Sequence, residues 1–294
     1  MVKPKEIVIL SGKGGTGKTS FASSLAVIAE KEAVIADCDV DAANMHIVLN
    51  PKNIIKESFR SGYLPVIDND KCVKCNRCVD VCRFDALHFN DGLLIVDSIN
   101  CEGCGYCQKV CNYGAISSVV PQRGDYYLSM SKMGSYFSHA KLGIGEDNSG
   151  KLVAKVKAEA KRIAEESNTK FIIVDGAPGI GCPVVSSLSG AHLVVLVTEP
   201  TMSGFHDLKR VLEVIKRFNP KICCIINKHN INSRVTEEIE SYIISNNISL
   251  LDKIEFDPLF AKAMMESKSV VEISDLYKSK FINYWEKIKN RLDN

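Results

Sequence analysis

Apolar runs without polar alternation recur along the chain: Ile7-Val8-Ile9-Leu10, Ala33-Val34-Ile35-Ala36, Phe171-Ile172-Ile173-Val174 and Leu193 to Val197. A strand reads this way when both of its faces are buried, as in a parallel sheet covered by helices. Amphipathic stretches alternate with these runs. Lys18 to Glu30 is predicted helical with Leu25, Ile28 and Ala29 inward; so are Lys151 to Glu166 with Ser149 as N-cap, Phe205 to Phe218, Thr236 to Ser245 and Asp275 to Leu292. Lys221 to Ile226 reads as a further strand. The alternation stops after Asp37-Cys38-Asp39 and resumes past residue 118, with strands expected around Tyr126 to Met130 and Ala140 to Gly143. Between Ile67 and Ser118 the chain is short-period and rich in cysteine. The prediction is an α/β domain, a doubly wound and mostly parallel sheet, formed by residues 1–66 and 119–294, with a small α+β domain at 67–118 inserted into it.

Composition changes this picture at one point. Lys+Arg 37 against Asp+Glu 35 gives a net charge of +2, so no general polyanion affinity follows and no nucleic-acid partner is expected. No leader pattern opens the chain and no apolar run approaches a membrane span, so a cytoplasmic protein without a membrane partner is expected. The outlier is cysteine, at 12 residues, of which eight lie between Cys72 and Cys111. Disulfides would be spread through a small secreted domain; a tight cluster in an intracellular chain points to metal.

The first apolar run leads into Gly12-Lys13-Gly14-Gly15-Thr16-Gly17-Lys18-Thr19-Ser20, which fits G-x-x-x-x-G-K-[ST]. Glycines allow successive backbone N–H groups to turn toward phosphates, and the helix that follows adds its dipole. Lys18 is expected on the β- and γ-phosphates of ATP and the Thr19 hydroxyl on Mg²⁺. Lys13, directly after the first glycine, resembles the deviant Walker A of the MinD/ParA/nitrogenase iron protein/Mrp group. That resemblance implies a homodimer with nucleotide at its interface, in which Lys13 reaches the partner's phosphates. It also implies roles for Asp39 (orienting the attacking water, near the metal) and Asp175 (Mg²⁺ through water, in Asp175-Gly176-Ala177-Pro178-Gly179). Asn227, and Pro258 within Phe256-Asp257-Pro258-Leu259-Phe260, are implied at the adenine base. Asp37 and Asp41 are weaker neighbours of the metal.

Cys72-x2-Cys75-x2-Cys78-x3-Cys82 recurs as Cys101-x2-Cys104-x2-Cys107-x3-Cys111, an internal repeat at an offset of 29 residues. It extends to Val81/Val110, Phe84/Tyr113, Ala86/Ala115 and Leu87/Ile116. Zinc sites use pairs of C-x2-C arms separated by a spacer, unlike four cysteines in eleven residues. The pattern resembles bacterial two-cluster ferredoxins, in which the fourth cysteine of each run crosses to the other cluster. The ligand sets so implied are Cys72, Cys75, Cys78 and Cys111 for one [4Fe-4S] cluster, and Cys101, Cys104, Cys107 and Cys82 for the other. The proline usual after the fourth cysteine is replaced by Arg83 and Asn112.

Together these motifs resemble MinD-superfamily ATPases with an inserted ferredoxin domain, and residues 145–153 are also similar to that group. The function so implied is ATP hydrolysis that gates electron transfer through two clusters to a redox partner. Two alternatives stand beside it: an Mrp-like iron-sulfur carrier that hands clusters to a recipient protein, and a MinD/ParA-like positioning switch. Cys182 follows Asp175 at the spacing of a cluster ligand in nitrogenase iron protein, but Asp147 stands where that protein's second ligand would fall. A half-buried packing role for Cys182 is therefore favoured over a bridging thiol. The six histidines show no ligand spacing, Cys223-Cys224 reads as core, and the stripe Phe281-Ile282-x2-Trp285-x2-Ile288 reads as a helix packed on the sheet, with membrane targeting as its alternative.

Overall fold

The structure is a computed structural model and describes residues 3–143 and 149–293 of the chain. It opens with β1 (Lys5–Leu10), α1 (Lys18–Ala29), β2 (Ala33–Asp37), α2 (Met45–Leu49) and β3 (Lys52–Arg60). The cysteine-rich part holds β4 (Leu64–Ile67), α3 (Arg77–Asp80), β5 (Leu87–Asn90), β6 (Leu93–Val96), α4 (Tyr106–Val110) and β7 (Ile116–Val119). Then come β8 (Gln122–Met130), β9 (Tyr136–Leu142), α5 (Ser149–Glu166), β10 (Phe171–Asp175), α6 (Cys182–Leu188), β11 (Leu193–Thr198) and α7 (Met202–Lys216). The chain ends with β12 (Lys221–Asn227), α8 (Ser233–Ser245), β13 (Ser249–Ile254), α9 (Leu259–Met265) and α10 (Asp275–Asp293). Two compact units result: residues 3–56, 126–141 and 149–293 form the first, and residues 57–125 with 142–143 belong to the second.

The first unit is built on a sheet of order β13-β12-β11-β1-β10-β2-β9-β8-β3. Neighbours from β13 to β9 are parallel. β9 returns from β8 through a tight turn in which Ser131 N–H donates to the Ser135 carbonyl at 2.9 Å. Every residue of β2, β10 and β11 is buried, which is why those runs lack polar alternation. One face (Ile7, Ile9, Ile35, Ile173, Val195, Ile225) packs under α1 and α10; α5, α6 and α7 contact strands of the same sheet. α10 buries Phe281, Tyr284, Trp285 and Ile288, with Phe281 at 5.1 Å from Phe21 and Trp285 at 5.2 Å from Phe171. Three of the four apolar residues of its stripe enter the core, Ile282 staying exposed, which weighs against the membrane-targeting alternative for that stripe.

Caps explain where boundaries moved. α7 starts at Met202 rather than Phe205 because Thr201 accepts the Gly204 N–H at 3.0 Å, and α8 starts at Ser233 because Asn232 accepts the Val235 N–H at 3.1 Å. α5 already includes Ser149, which is therefore inside the helix and not ahead of it; residues 144–148, Asp147 among them, lie outside the described residues. β9 begins at Tyr136, four residues before the predicted Ala140.

The second unit carries the 29-residue repeat in its backbone. Ile67 pairs with Ile116 in the antiparallel β4–β7 pair, and Leu87 pairs with Val96 in β5–β6, so each half lends one strand to each two-stranded sheet. Asp68 N–H donates to Ala115 and Asp97 N–H to Ala86, each at 2.8 Å. Three equivalent pairs adopt left-handed backbone: Lys74 and Gly103, Asn76 and Gly105, Asp85 and Gly114. Because β4 and β7 pair along their whole length and Ser61 N–H donates to the Pro121 carbonyl, the compact unit extends past both ends of the predicted 67–118.

Candidate functional site

Five adjacent strands, β12, β11, β1, β10 and β2, end on the same edge because all are parallel. Their C-terminal ends deliver Asn227, Glu199, the loop 11–17, Asp175 and Asp37 with Asp39. This is the edge at which open α/β sheets bind ligands. Within the loop, Gly15 and Gly17 have φ of 80° and 93°. A Cβ on Gly12 would lie 2.5 Å from the Asp207 backbone, and one on Gly17 would lie 2.4 Å from Asn227 Nδ2. Close approach at the first, and approach plus left-handed backbone at the second, therefore require glycine.

Lys18 is buried at 6% exposure, with Nζ 2.7 Å from Asp175 Oδ1, 3.3 Å from Asp39 Oδ2 and 3.4 Å from Thr19 Oγ1. Burial works against its charge, but the Asp175 and Asp39 carboxylates outweigh it and hold the ammonium above its ordinary pKa. Asp37 is Asp175's register neighbour and accepts the backbone N–H groups of Asp39 and Met45. Burial, then the Asp175 charge, pushes Asp37 up to about 8. Burial also raises Asp175, against the opposing pull of Lys18. Two carboxyl groups, of Asp175 and Asp39, thus flank one ammonium, with Asp37 buried beside Asp175. Among the described residues, Asp175 Oδ2 and Thr16 Oγ1 are buried without a hydrogen-bond partner. A buried carboxyl group with a free oxygen, near the Thr19 hydroxyl, offers oxygen donors suited to a hard divalent cation such as Mg²⁺.

The comparisons bear on this edge. The model of the CobQ/CobB/MinD/ParA nucleotide-binding domain matches residues 7–270. The chain belongs to that family. It is 36% identical over 231 residues to the uncharacterized protein MJ0578 of Methanocaldococcus jannaschii, covering 78% of this chain and 79% of that one. Among solved structures, the septum site-determining protein MinD of Pyrococcus horikoshii, complexed with Mg-ADP, superposes with a TM-score of 0.58 at 19% identity, covering 97% of this chain and 96% of the other. The McdA–ATP complex of Cyanothece gives a TM-score of 0.54 at 15% identity, covering 100% and 98%. These structures share the fold.

On this MinD/ParA-type fold, sequence reasoning overlooked the surroundings of Lys13. Its Nζ lies 2.8 Å from Glu199 Oε1, 3.1 Å from Thr201 Oγ1 and 3.0 Å from Ser203 Oγ. The other oxygen of Glu199 is 2.9 Å from Lys228 Nζ, which also donates to the Gly15 carbonyl at 3.0 Å. The available signal was an acid just past an apolar parallel strand; Asp39 and Asp175 also stand at strand ends. Asn227 donates to the Thr16 carbonyl at 2.8 Å and accepts the Lys228 N–H, so its amide braces the loop. Pro258 is exposed at the start of α9, and its neighbour Asp257 is held by the Tyr277 hydroxyl at 2.8 Å. Asp41 is exposed. Cys182 opens α6 and is exposed, not half-buried, while Cys38, Cys223 and Cys224 are buried.

In the second unit the eight repeat cysteines sort into two cavities. One is lined by Cys72, Cys75, Cys78 and Cys111. The other is lined by Cys82, Cys101, Cys104 and Cys107. Burial raises the Cys78 and Cys107 thiols, and the Val79 and Gln108 amides, one repeat apart, oppose it by hydrogen bonding to those sulfurs. No three of the described His, Cys, Asp or Glu side chains converge on a single-ion position.

Proposed function

We propose that this protein is a Mg²⁺-dependent ATPase that acts as a dimer and uses its nucleotide state to gate electron transfer to a redox partner through two [4Fe-4S] clusters. The observation that carries the redox half is the sorting of eight cysteines into two four-thiol cavities. A cubane needs four thiolates from one ligand set, and amide N–H groups aimed at sulfur stabilise the thiolate charge. When bound, each cluster would supply one-electron storage. The residues' own part is to close the ligand set, exclude solvent and donate hydrogen bonds to the sulfurs. Closed sets of four suit stable electron carriers better than labile donors, which weighs against the cluster-carrier alternative.

The ATPase half rests on family membership and on the edge just described. Thr19 and Asp175 would hold Mg²⁺, which supplies neutralisation of phosphate charge. Lys18, now paired with Asp175 and Asp39, would serve the β- and γ-phosphates. Asp39 would accept a hydrogen from the attacking water. Lys13 would serve the nucleotide of a second copy. The chain enters the second unit after passing Asp39, which is the route by which nucleotide state could reach it. A positioning switch is the second reading, favoured by the likeness to MinD and McdA.

Anaerobic reconstitution tests the proposal. The expected result is about eight iron and eight sulfide per chain, with Cys111→Ser perturbing the cluster of Cys72, Cys75 and Cys78, and Cys82→Ser the other, by electron paramagnetic resonance. Cluster potentials should differ between ATP and ADP. Iron well below that value overturns the cluster reading, and potentials indifferent to nucleotide leave the positioning switch.

A further inference from the structure

Lys13 has three N–H donors, and all three are engaged, by Glu199, Thr201 and Ser203. To reach a phosphate held by another chain it must give up all three contacts. Glu199 is the charged one, and only 8% of the residue is exposed. A carboxylate that loses its single cation in such a place is strongly disfavoured. Here the second oxygen of Glu199 keeps Lys228 at 2.9 Å. Lys228 is itself anchored, through the Gly15 carbonyl and a left-handed backbone (φ 56°) that a lysine adopts only when its surroundings impose it. The carboxylate is therefore compensated whether Lys13 is present or absent.

We propose that Glu199 is a positioning residue for Lys13. It retains the lysine inside its own protomer until nucleotide is bound, and Lys228 makes the release affordable by remaining behind as the counter-charge. Lys228 opposes the latch: without it, Glu199 would depend on Lys13 alone and hold it harder. This inference rests on the reading that Lys13 acts on the nucleotide of a second copy.

The two lysines predict effects of opposite sign, which a purely structural role for this cluster would not. The cluster-loaded protein is studied anaerobically with saturating Mg²⁺ and AMPPNP, and its self-association measured by sedimentation. Glu199→Gln should tighten the dimer by about tenfold, and Lys228→Met should weaken it by about tenfold, the size of one partly buried ion pair. Lys228→Arg keeps the cation and should stay near wild type, which separates charge from folding. In a Lys13→Gln background Glu199→Gln should have no effect. Shifts of the same sign in Glu199→Gln and Lys228→Met, or none in either, overturn the latch. Wild type and Glu199→Gln that both stay monomeric overturn the dimer reading beneath it.

Discussion

In the first unit the functional charges hang from the ends of parallel strands that are buried along almost their entire length. In the second, eight cysteines hang from turns and from two helices of four and five residues, around a buried cluster of only Cys78, Leu87, Leu94 and Ile116. The first scaffold is held by its own core, which fixes the strand ends near which Lys18, Asp39 and Asp175 stand. The second has too little apolar burial to offset ordering its turns, three of which put Lys74, Asn76 and Asp85 in left-handed backbone. On the proposed reading, such a unit would gain its stability from the clusters its thiols bind. Preorganisation by a sheet and preorganisation by a cofactor should fail differently.

The largest contrast should come from iron. Anaerobic chelation is expected to raise the rate of proteolysis within residues 57–125 by about a hundredfold or more, by loss of several kcal/mol of binding free energy. The thermal transition of the first unit should persist. Mass-spectrometric mapping of the cuts checks this, and equal protection of both units after chelation would refute it. Next, Lys18→Met should lower ATP hydrolysis by about a hundredfold or more. It leaves Asp175 and Asp39 without their ammonium, so the variant should also bind Mg²⁺ alone more tightly by calorimetry, while iron content stays unchanged.

A matched pair of glycines sharpens the comparison. Gly12→Ala and Gly103→Ala each place a Cβ 2.5 Å from a backbone atom, of Asp207 and Tyr63 respectively, and Gly103 has φ 64° besides. Each should cost about 2 kcal/mol, read as a lowered melting temperature. Gly12→Ala should lower that of the iron-free protein, whereas Gly103→Ala should matter only in the iron-loaded one.

A last effect, confined to a window of pH, belongs to the first unit. His139 lies between the Phe137 ring at 4.2 Å and the Tyr127 ring at 5.1 Å, with Nε2 2.9 Å from Ser129 Oγ. Burial, with a lesser push from His46, lowers its pKa to about 4. The unfolded chain then binds the extra proton between about 6.5 and 4, so stability rises with pH across that window and is lost as pH falls through it. His139→Gln should remove up to about 3 kcal/mol of that dependence, seen in urea titrations at pH 4.5 and 7.

What the sequence determined by itself was local. Apolar runs of four or five residues marked the buried strands, since burial on both faces leaves no alternation to confuse. The phosphate loop was legible because its glycines and lysines are contiguous, and the cysteine repeat because two copies can be laid over each other at 29 residues. Outside those runs the signal thinned: α2, β3, α6 and β13 were not foreseen, being short or, like β3, exposed at seven of its first seven positions. Only the tertiary structure decided which groups meet across the sheet edge. Glu199 lies 186 residues from Lys13 and Asn227 lies 211 from Thr16, and no local pattern encodes that meeting. It follows from the strand order, which places β11 beside β1 and β12 next to β11. The same order settled the fate of the C-terminal stripe, whose apolar side chains suit a membrane surface or a protein core equally well until α1 is found beneath them.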